Sequence, residues 1–362
     1  MDHPKESCLL GIIMAISSPE QQVDFLRKVQ RLLSEGIFTA SYKFALLHAL
    51  ADLAVVKGDE SGAPLELQTC EIAERFIELY WRQTRPFLSR EFAGVVLKQN
   101  KGRQATIVSE IIKVQNECDG SLAKLKLSGS RWNALVKKVG AVVRGMPLRW
   151  LQIVGCKPMN FLYDGVSRGK SITLKPGVAY CLRSFHRIIV DLVEGAWLNY
   201  VRKINSGRAG TLTDLGSFLF GCERATLTAY RDVLIEIQKR TCFYCRRPVR
   251  SGGVADHFIP WSKYPQDLGH NFVLAHASCN NRKSDYLAAE EHLGAWRDRN
   301  ASVADELVQR FDALELPHDM GASIRVAQWA YGQTEKAGGQ VWVMDRILKH
   351  LPPDWRRFLV AG

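Results

Sequence analysis

The 362-residue chain has no long hydrophobic run. Its longest early apolar stretch, "CLLGIIMAI" at 8–16, falls well short of the roughly 20 residues a helix needs to cross a bilayer. It has the length of a secretory-leader core, but Asp2 and Glu6 spoil the positive flank such leaders carry. The expectation is an ordinary buried helix in a cytoplasmic protein with no membrane insertion. Cysteine is sparse: nine residues, an odd count in no regular framework, which excludes a disulfide-built secreted scaffold. There is no internal repeat and no low-complexity tract, which excludes solenoids and disordered tails.

Acidic residues are scarce in one place. Residues 121–250 carry 23 Lys and Arg against 7 Asp and Glu, in a chain whose totals are 49 and 37 and whose net charge is +12. The excess of positive charge is therefore concentrated in this block, and the remainder is slightly acidic. Such a block attracts polyanions, of which nucleic acid is the commonest, although a generally basic soluble surface has the same composition. Neither a helix-turn-helix nor a C2H2 finger is recognisable, so any nucleic-acid contact is expected to have weak sequence specificity.

What the chain does have is enough apolar material for real cores. Hydrophobic residues make up 46 % and charged residues 24 %, over a length that suggests two or three domains. Residues 1–120 read as a helical bundle. "PEQQVDFLRKVQRLLSEG", "SYKFALLHALADLAVVKG" and "LELQTCEIAERFIELYWRQTRPF" each show a start signal, apolar residues at helical spacing, and a Gly or Pro stop. His48 and Cys70 fall inside these helices and read as packing residues.

Residues 121–240 read as a basic helical region, with helices at about 103–117 and 119–140 leading in. Gly- and Pro-punctuated alternation suggests a small hairpin near 155–180. "SGRAGTLTDLGSFLFG" reads as a hinge. The last segment, 291–362, reads as helices packing on the rest, with periodic stretches near 287–313 and 322–349. The expected fold class is mostly α with a small α+β insert at 241–290.

That insert carries the chemistry. Cys242 and Cys245 sit two residues apart in "CFYCRRPV", and His276 and Cys279 sit two apart in "HASC". C-x2-C with H-x2-C completes four tetrahedral ligands, three sulfurs and one nitrogen, which is a closed structural Zn²⁺ site. The enclosed segment is too short to bury much apolar surface, so the ion's role is to staple it. Between the half-sites, "VADHFIP" and "NFVLAH" read as two strands, and "SCNNRKSDYLAAEEHL" opens a helix.

Over 241–290 this arrangement resembles the HNH endonuclease family, in Asp256-His257, Asn271 and Asn280 just after the last zinc cysteine, and in the trailing "NRKSD". The resemblance implies a ββα-metal core that cuts phosphodiesters. Asp256 would supply a carboxylate oxygen and Asn280 a carbonyl oxygen to a catalytic Mg²⁺ or Mn²⁺. His257 would be the general base. Neighbours in a strand point to opposite faces, so a bulge or strand end must bring Asp256 and His257 into one site. Asn271 would fix the hairpin and orient His257. Arg282 and Lys283 are expected phosphate contacts. His276 stands where many relatives have cysteine, and can also be read as a catalytic metal ligand; zinc is the preferred reading because Asn280 already fills that slot. His270 and His292 match no expected position and read as surface or packing residues.

The implied activity is a metal-dependent DNA endonuclease or nickase with low sequence specificity, its partner DNA held mainly by residues 121–250. Outside 241–290 the helical part is reminiscent only of bacterial HNH proteins, some from phage-defence systems, which would add partner proteins of such a system. The alternatives are a zinc-stabilised nucleic-acid-binding or adaptor module that never cuts, and an RNA-cutting toxin.

Overall fold

The helix from Tyr42 to Lys57 is buried on every side from Phe44 to Val55, and the N-terminal half of the protein is built around it. The structure, a computed structural model, describes residues 18–87, 94–165, 170–205, 212–221 and 224–359. The apolar stretch 8–16 and residues 206–211 of the expected hinge lie outside them. The chain divides into two units, Met1–Gly221 and Cys222–Gly362.

In the first unit the order is α1 (Pro19–Glu35), α2 (Tyr42–Lys57), β1 (Leu65–Gln68), α3 (Thr69–Trp81), α4 (Thr106–Gln115), α5 (Leu122–Leu127), α6 (Gly129–Gly145), α7 (Pro147–Trp150), β2 (Ile153–Val154), β3 (Lys157–Pro158), β4 (Ser171–Leu174), α8 (Val178–Ser184), α9 (His186–Ile204) and α10 (Leu212–Phe220). Ser18 caps α1 in a capping box with Gln21, which settles where the helix starts. α2 packs against α3, α8 and α9, so an apolar stripe on one face would not have sufficed; a helix apolar all round belongs in a core. α3 packs on α6, so residues on both sides of 120 share one core.

Three expectations change here. The helix foreseen at 119–140 is split at Ser128 into α5 and α6. Among the described residues β2 and β3 form a two-residue hairpin, and β4, bridged locally to Tyr163 through Leu174, finds its strand partner in β1, from Leu65↔Leu174 to Gln68↔Ser171. Local alternation suggests a hairpin near 155–180, but nothing local names a partner so far upstream. Residues 212–220 of the expected hinge are the helix α10.

The second unit runs α11 (Arg224–Ile237), β5 (Gly253–His257), β6 (Phe272–His276), α12 (Ala277–Lys283), α13 (Glu290–Ser302), α14 (Ala304–Ala313), α15 (Met320–Lys336), β7 (Gln340–Met344) and β8 (Ile347–His350). β5 and β6 form an antiparallel ladder from Gly253↔His276 to His257↔Phe272, and α12 follows at once. This is the strand–strand–helix unit expected at 241–290.

α11 lies against both strands, with Tyr230 stacked on Phe272 at 4.3 Å between ring centroids. From α13, Trp296 stacks on Phe258 at 5.2 Å, while its Nε1–H and the Asn300 Nδ2–H both donate to the His270 carbonyl. These large aromatic contacts give the small hairpin a core it lacks on its own. The expected single helix at 287–313 breaks at Val303 into α13 and α14. The helix expected over 322–349 stops at Lys336. Gly338, at φ +60°, turns the chain into the β7–β8 hairpin, whose register shifts between Trp342 and Met344.

Candidate metal centre and active site

The four candidate zinc ligands come from two short pieces of backbone held together before any metal is considered. The Cys242 N–H donates to the Arg247 carbonyl and the Arg246 N–H to the Cys242 carbonyl, which closes the C-x2-C turn with Arg246 at φ +59°. The Phe243 N–H then donates to the Leu274 carbonyl, fastening this turn to β6. Gln238, just past α11, makes the joint rigid: its Oε1 accepts from the Leu274 N–H, and its Nε2 donates to the carbonyls of Thr241 and Leu274.

β6 delivers His276 at its end, and the first turn of α12 delivers Cys279. The ligand atoms of Cys242, Cys245, His276 and Cys279 all lie within 4.8 Å of one another, which fits a zinc site. His276 Nδ1 is 3.3 Å from the Cys245 sulfur and 3.9 Å from that of Cys279, while Nε2 is 3.2 Å from the Pro248 carbonyl. A proton on Nε2, donated to Pro248, leaves Nδ1 as the ligand nitrogen, the usual way an outer partner selects the tautomer of a metal-bound histidine. Burial would raise the Cys242 thiol, but backbone N–H groups at Cys245, His276 and Tyr244 outweigh it and lower it. Cys279 is pushed up to about 12, by burial first and then by the charge of the other two sulfurs. Three sulfurs and an imidazole nitrogen this close suit a cation among them. Four protein ligands would leave such a cation no open position, which is the arrangement of structural rather than catalytic zinc sites.

The expected catalytic residues fall into two groups. The β5–β6 register runs without a bulge through both Asp256↔Val273 and His257↔Phe272, so the two side chains leave the strand on opposite sides. Asp256 is buried. Its Oδ2 accepts from the Tyr244 hydroxyl and stands 3.1 Å from the Lys283 ammonium, which lies 3.4 Å from Oδ1. Lys283 also donates to the His257 carbonyl at 2.9 Å. Burial, together with the Asp256 charge, holds the Tyr244 phenol well above its usual range, so it remains a donor.

Lys283 is 0 % exposed, so it is an internal counter-ion and not the surface phosphate contact expected from the sequence. The reason is geometric: it stands one helical turn after Asn280, on the face of α12 that meets β5. Asn280, in the same short helix and half-buried, shares that face. Arg282 is exposed and pairs with Asp345 in the β7–β8 turn.

His257 sits on the other side. Its ring lies 4.3 Å from that of Phe272 and 5.3 Å from that of Trp261, with Nε2 2.9 Å from Asp267 Oδ1. Asn271 closes the loop between the strands. Its Oδ1 accepts from the Ile259 N–H at 2.8 Å, its Nδ2 donates to the Ile259 carbonyl at 3.0 Å, and its own carbonyl accepts from the Phe258 N–H. It therefore pins the chain directly after His257. His270 is fully buried, and burial, with the charge of His318, pushes it down to about 4. His292 stacks on Trp342 with Nε2 on the Val343 carbonyl. Both are packing residues.

Sequence reasoning did not single out Tyr244 or Asp267. Tyr244 lies inside the zinc turn and Asp267 in an irregular loop, and neither position carries a periodic or spacing signal.

A hard divalent cation needs open oxygens and room for several waters. Asp256 offers neither as arranged, because its carboxylate is buried and already neutralised by Lys283. The zinc set fits its ion; the Asp256–Asn280 set, with Lys283 in place, does not form a Mg²⁺ or Mn²⁺ site.

Residues 242–286 match the family model described as HNH endonuclease. No curated protein and no solved structure matches the chain.

Proposed function

Starting from an HNH endonuclease domain at 242–286, we propose that the protein is a phosphodiester hydrolase that nicks DNA with low sequence specificity. The observation that carries this reading is that the zinc cluster, the His257 hairpin and α12 are one unit within the matched span. His257 takes a proton from the attacking water. The water oxygen bonds to phosphorus, the bond from phosphorus to the leaving oxygen breaks, and solvent protonates that oxygen. Arg282, exposed on α12 and paired with Asp345, is assigned to the phosphate charge, which would take the place of that carboxylate. The buried Asp256–Lys283 pair holds the strand and helix of the site together. Occupation of Asp256 and Asn280 by Mg²⁺ or Mn²⁺ requires Lys283 to release the carboxylate, so the divalent-ion dependence is itself a readout of whether that release occurs. One such site cuts one strand per event.

Affinity for the polyanion is assigned to the basic block at 121–250. Its most favourable segment is α6 and α7, where Arg131, Lys137, Arg149 and Trp150 are exposed and residues 120–163 include no acidic side chain. A role in phage defence, in the cytoplasm and with partner proteins, extends the resemblance; equal protection by wild type and Asn280→Ala would remove the nuclease from that role.

The test is conversion of supercoiled plasmid in Mg²⁺, Mn²⁺ or EDTA, with matched RNA in parallel. Wild type should nick DNA and His257→Ala should not; equal behaviour of the two would refute the catalytic assignment. RNA cleavage alone would assign an RNA-cutting toxin. The engagement of Asp256 by Lys283 favours a second reading, a zinc-stabilised binding module that does not cut, and binding without cleavage under every ion would select it.

A further inference from the structure

Asp267 has no part in the reading above, yet it makes the only polar side-chain contact to the His257 ring among the described residues. We propose that Asp267 is a positioning residue that fixes the tautomer and orientation of the His257 imidazole. This rests on the reading of His257 as the general base. The geometry behind it has three parts. The loop between β5 and β6 is closed at its base by the paired bonds of Asn271 to Ile259, so residues 258–271 form a defined bridge rather than a free excursion. The faces of Phe272 and Trp261 limit where the ring can swing. Asp267 Oδ1 then meets Nε2 at 2.9 Å, with only 12 % and 18 % of the two side chains exposed.

An ionised carboxylate can only accept, and a neutral imidazole carries one N–H. The pairing therefore places the proton on Nε2 and leaves Nδ1 as the nitrogen that takes the proton from water. When Nδ1 is protonated, the same carboxylate stabilises the imidazolium. The proton moves from water to Nδ1, the water oxygen forms the bond to phosphorus, the leaving oxygen departs with its electron pair, and solvent protonates it.

The discriminating variant is Asp267→Asn, which keeps the shape but can offer an N–H to Nε2 and so accommodate the opposite tautomer. The full chain, labelled with ¹⁵N-histidine, has the His257 resonances identified by their loss in His257→Ala. Wild type should show the Nε2–H tautomer, and Asp267→Asn a mixture or the Nδ1–H form, with zinc content and circular dichroism unchanged. Nicking by Asp267→Asn should lose on the order of 10- to 100-fold in kcat with little change in KM, as expected for a misplaced catalytic group, and Asp267→Glu should recover part of it. An unchanged tautomer in Asp267→Asn overturns the proposal, and so does an unchanged kcat. If wild type cuts nothing, the nuclease reading fails, while the tautomer comparison still decides the role of Asp267.

Discussion

At the scale of single residues, spacing and burial gave different kinds of information. The Cys242/Cys245/His276/Cys279 cluster was legible because C-x2-C and H-x2-C are local patterns whose chemistry depends on spacing alone. Mutating Cys279→Ser should abolish stoichiometric zinc, measured by elemental analysis at one ion per wild-type chain, and should melt the second unit, because metal binding and folding are coupled at such sites. The position of Lys283 was not legible. A lysine two positions before an exposed "DY" reads as a surface cation, and only the packing of α12 on β5 turns it inward onto Asp256. Removing one partner of a buried pair leaves the other charge uncompensated, so Lys283→Met should cost about 3–5 kcal/mol, read from urea unfolding, and Asp256→Asn should be less damaging in the Lys283→Met background than alone.

At the scale of elements, the first unit holds a charged cluster on its central helix. His48 and Asp52, one turn apart on α2, are both buried. Their Nδ1 and Oδ2 are 3.3 Å apart, a charge contact more than an aligned hydrogen bond. Asp52 also meets His186 from α9 at 2.9 Å and Arg75 from α3 at 3.0 Å, and His48 Nε2 lies 3.3 Å from Glu194. These contacts tie three helices together at one point.

Burial disfavours the His48 charge, but Asp52 and Glu194 outweigh it and hold its pKa up at about 10, against an ordinary 6.5. A raised value means that the stabilisation is complete below pH 6.5 and is lost as pH rises toward 10. Asp52 is depressed: burial opposes its charge, but His48, Arg75 and His186 outweigh that, so its contribution is present above about pH 4 and lost in acid. The stability gap between wild type and His48→Gln should therefore be widest near pH 6 and narrow by pH 10; a constant gap would show that His48 acts by packing alone. Sequence periodicity placed His48 inside a helix but could not show that α2 is surrounded, which is what converts a histidine on a helix into a buried ion. Likewise, β1 and β4 and the β7–β8 hairpin depend on partners distant in sequence or on a Gly turn that interrupts an otherwise helical pattern.

At the scale of the whole molecule, the separation of roles follows the charge distribution. The +12 excess is concentrated in 121–250 and the family match covers 242–286, so the two stretches overlap only at 242–250, and most of the assigned affinity lies outside the matched span. Among the described residues no helix is long and apolar enough to cross a membrane. Neutralising phosphates with exposed lysines and arginines makes binding fall steeply with salt, by about one unit of log–log slope per phosphate contact. Lys137→Ala and Arg149→Ala should each weaken DNA binding similarly for all sequences and lower that slope by about one, measured by anisotropy against salt concentration. They should leave the zinc content unchanged. A loss of affinity with an unchanged slope would place the contacts elsewhere on the protein.

The most direct measurement is single-turnover nicking of plasmid by zinc-loaded wild type beside His257→Ala, at equal zinc content and equal DNA occupancy. The account predicts open-circular product from wild type and a loss of at least about a hundredfold in the variant, the share a general base contributes. Equal rates, or none in either protein at full occupancy, would contradict it.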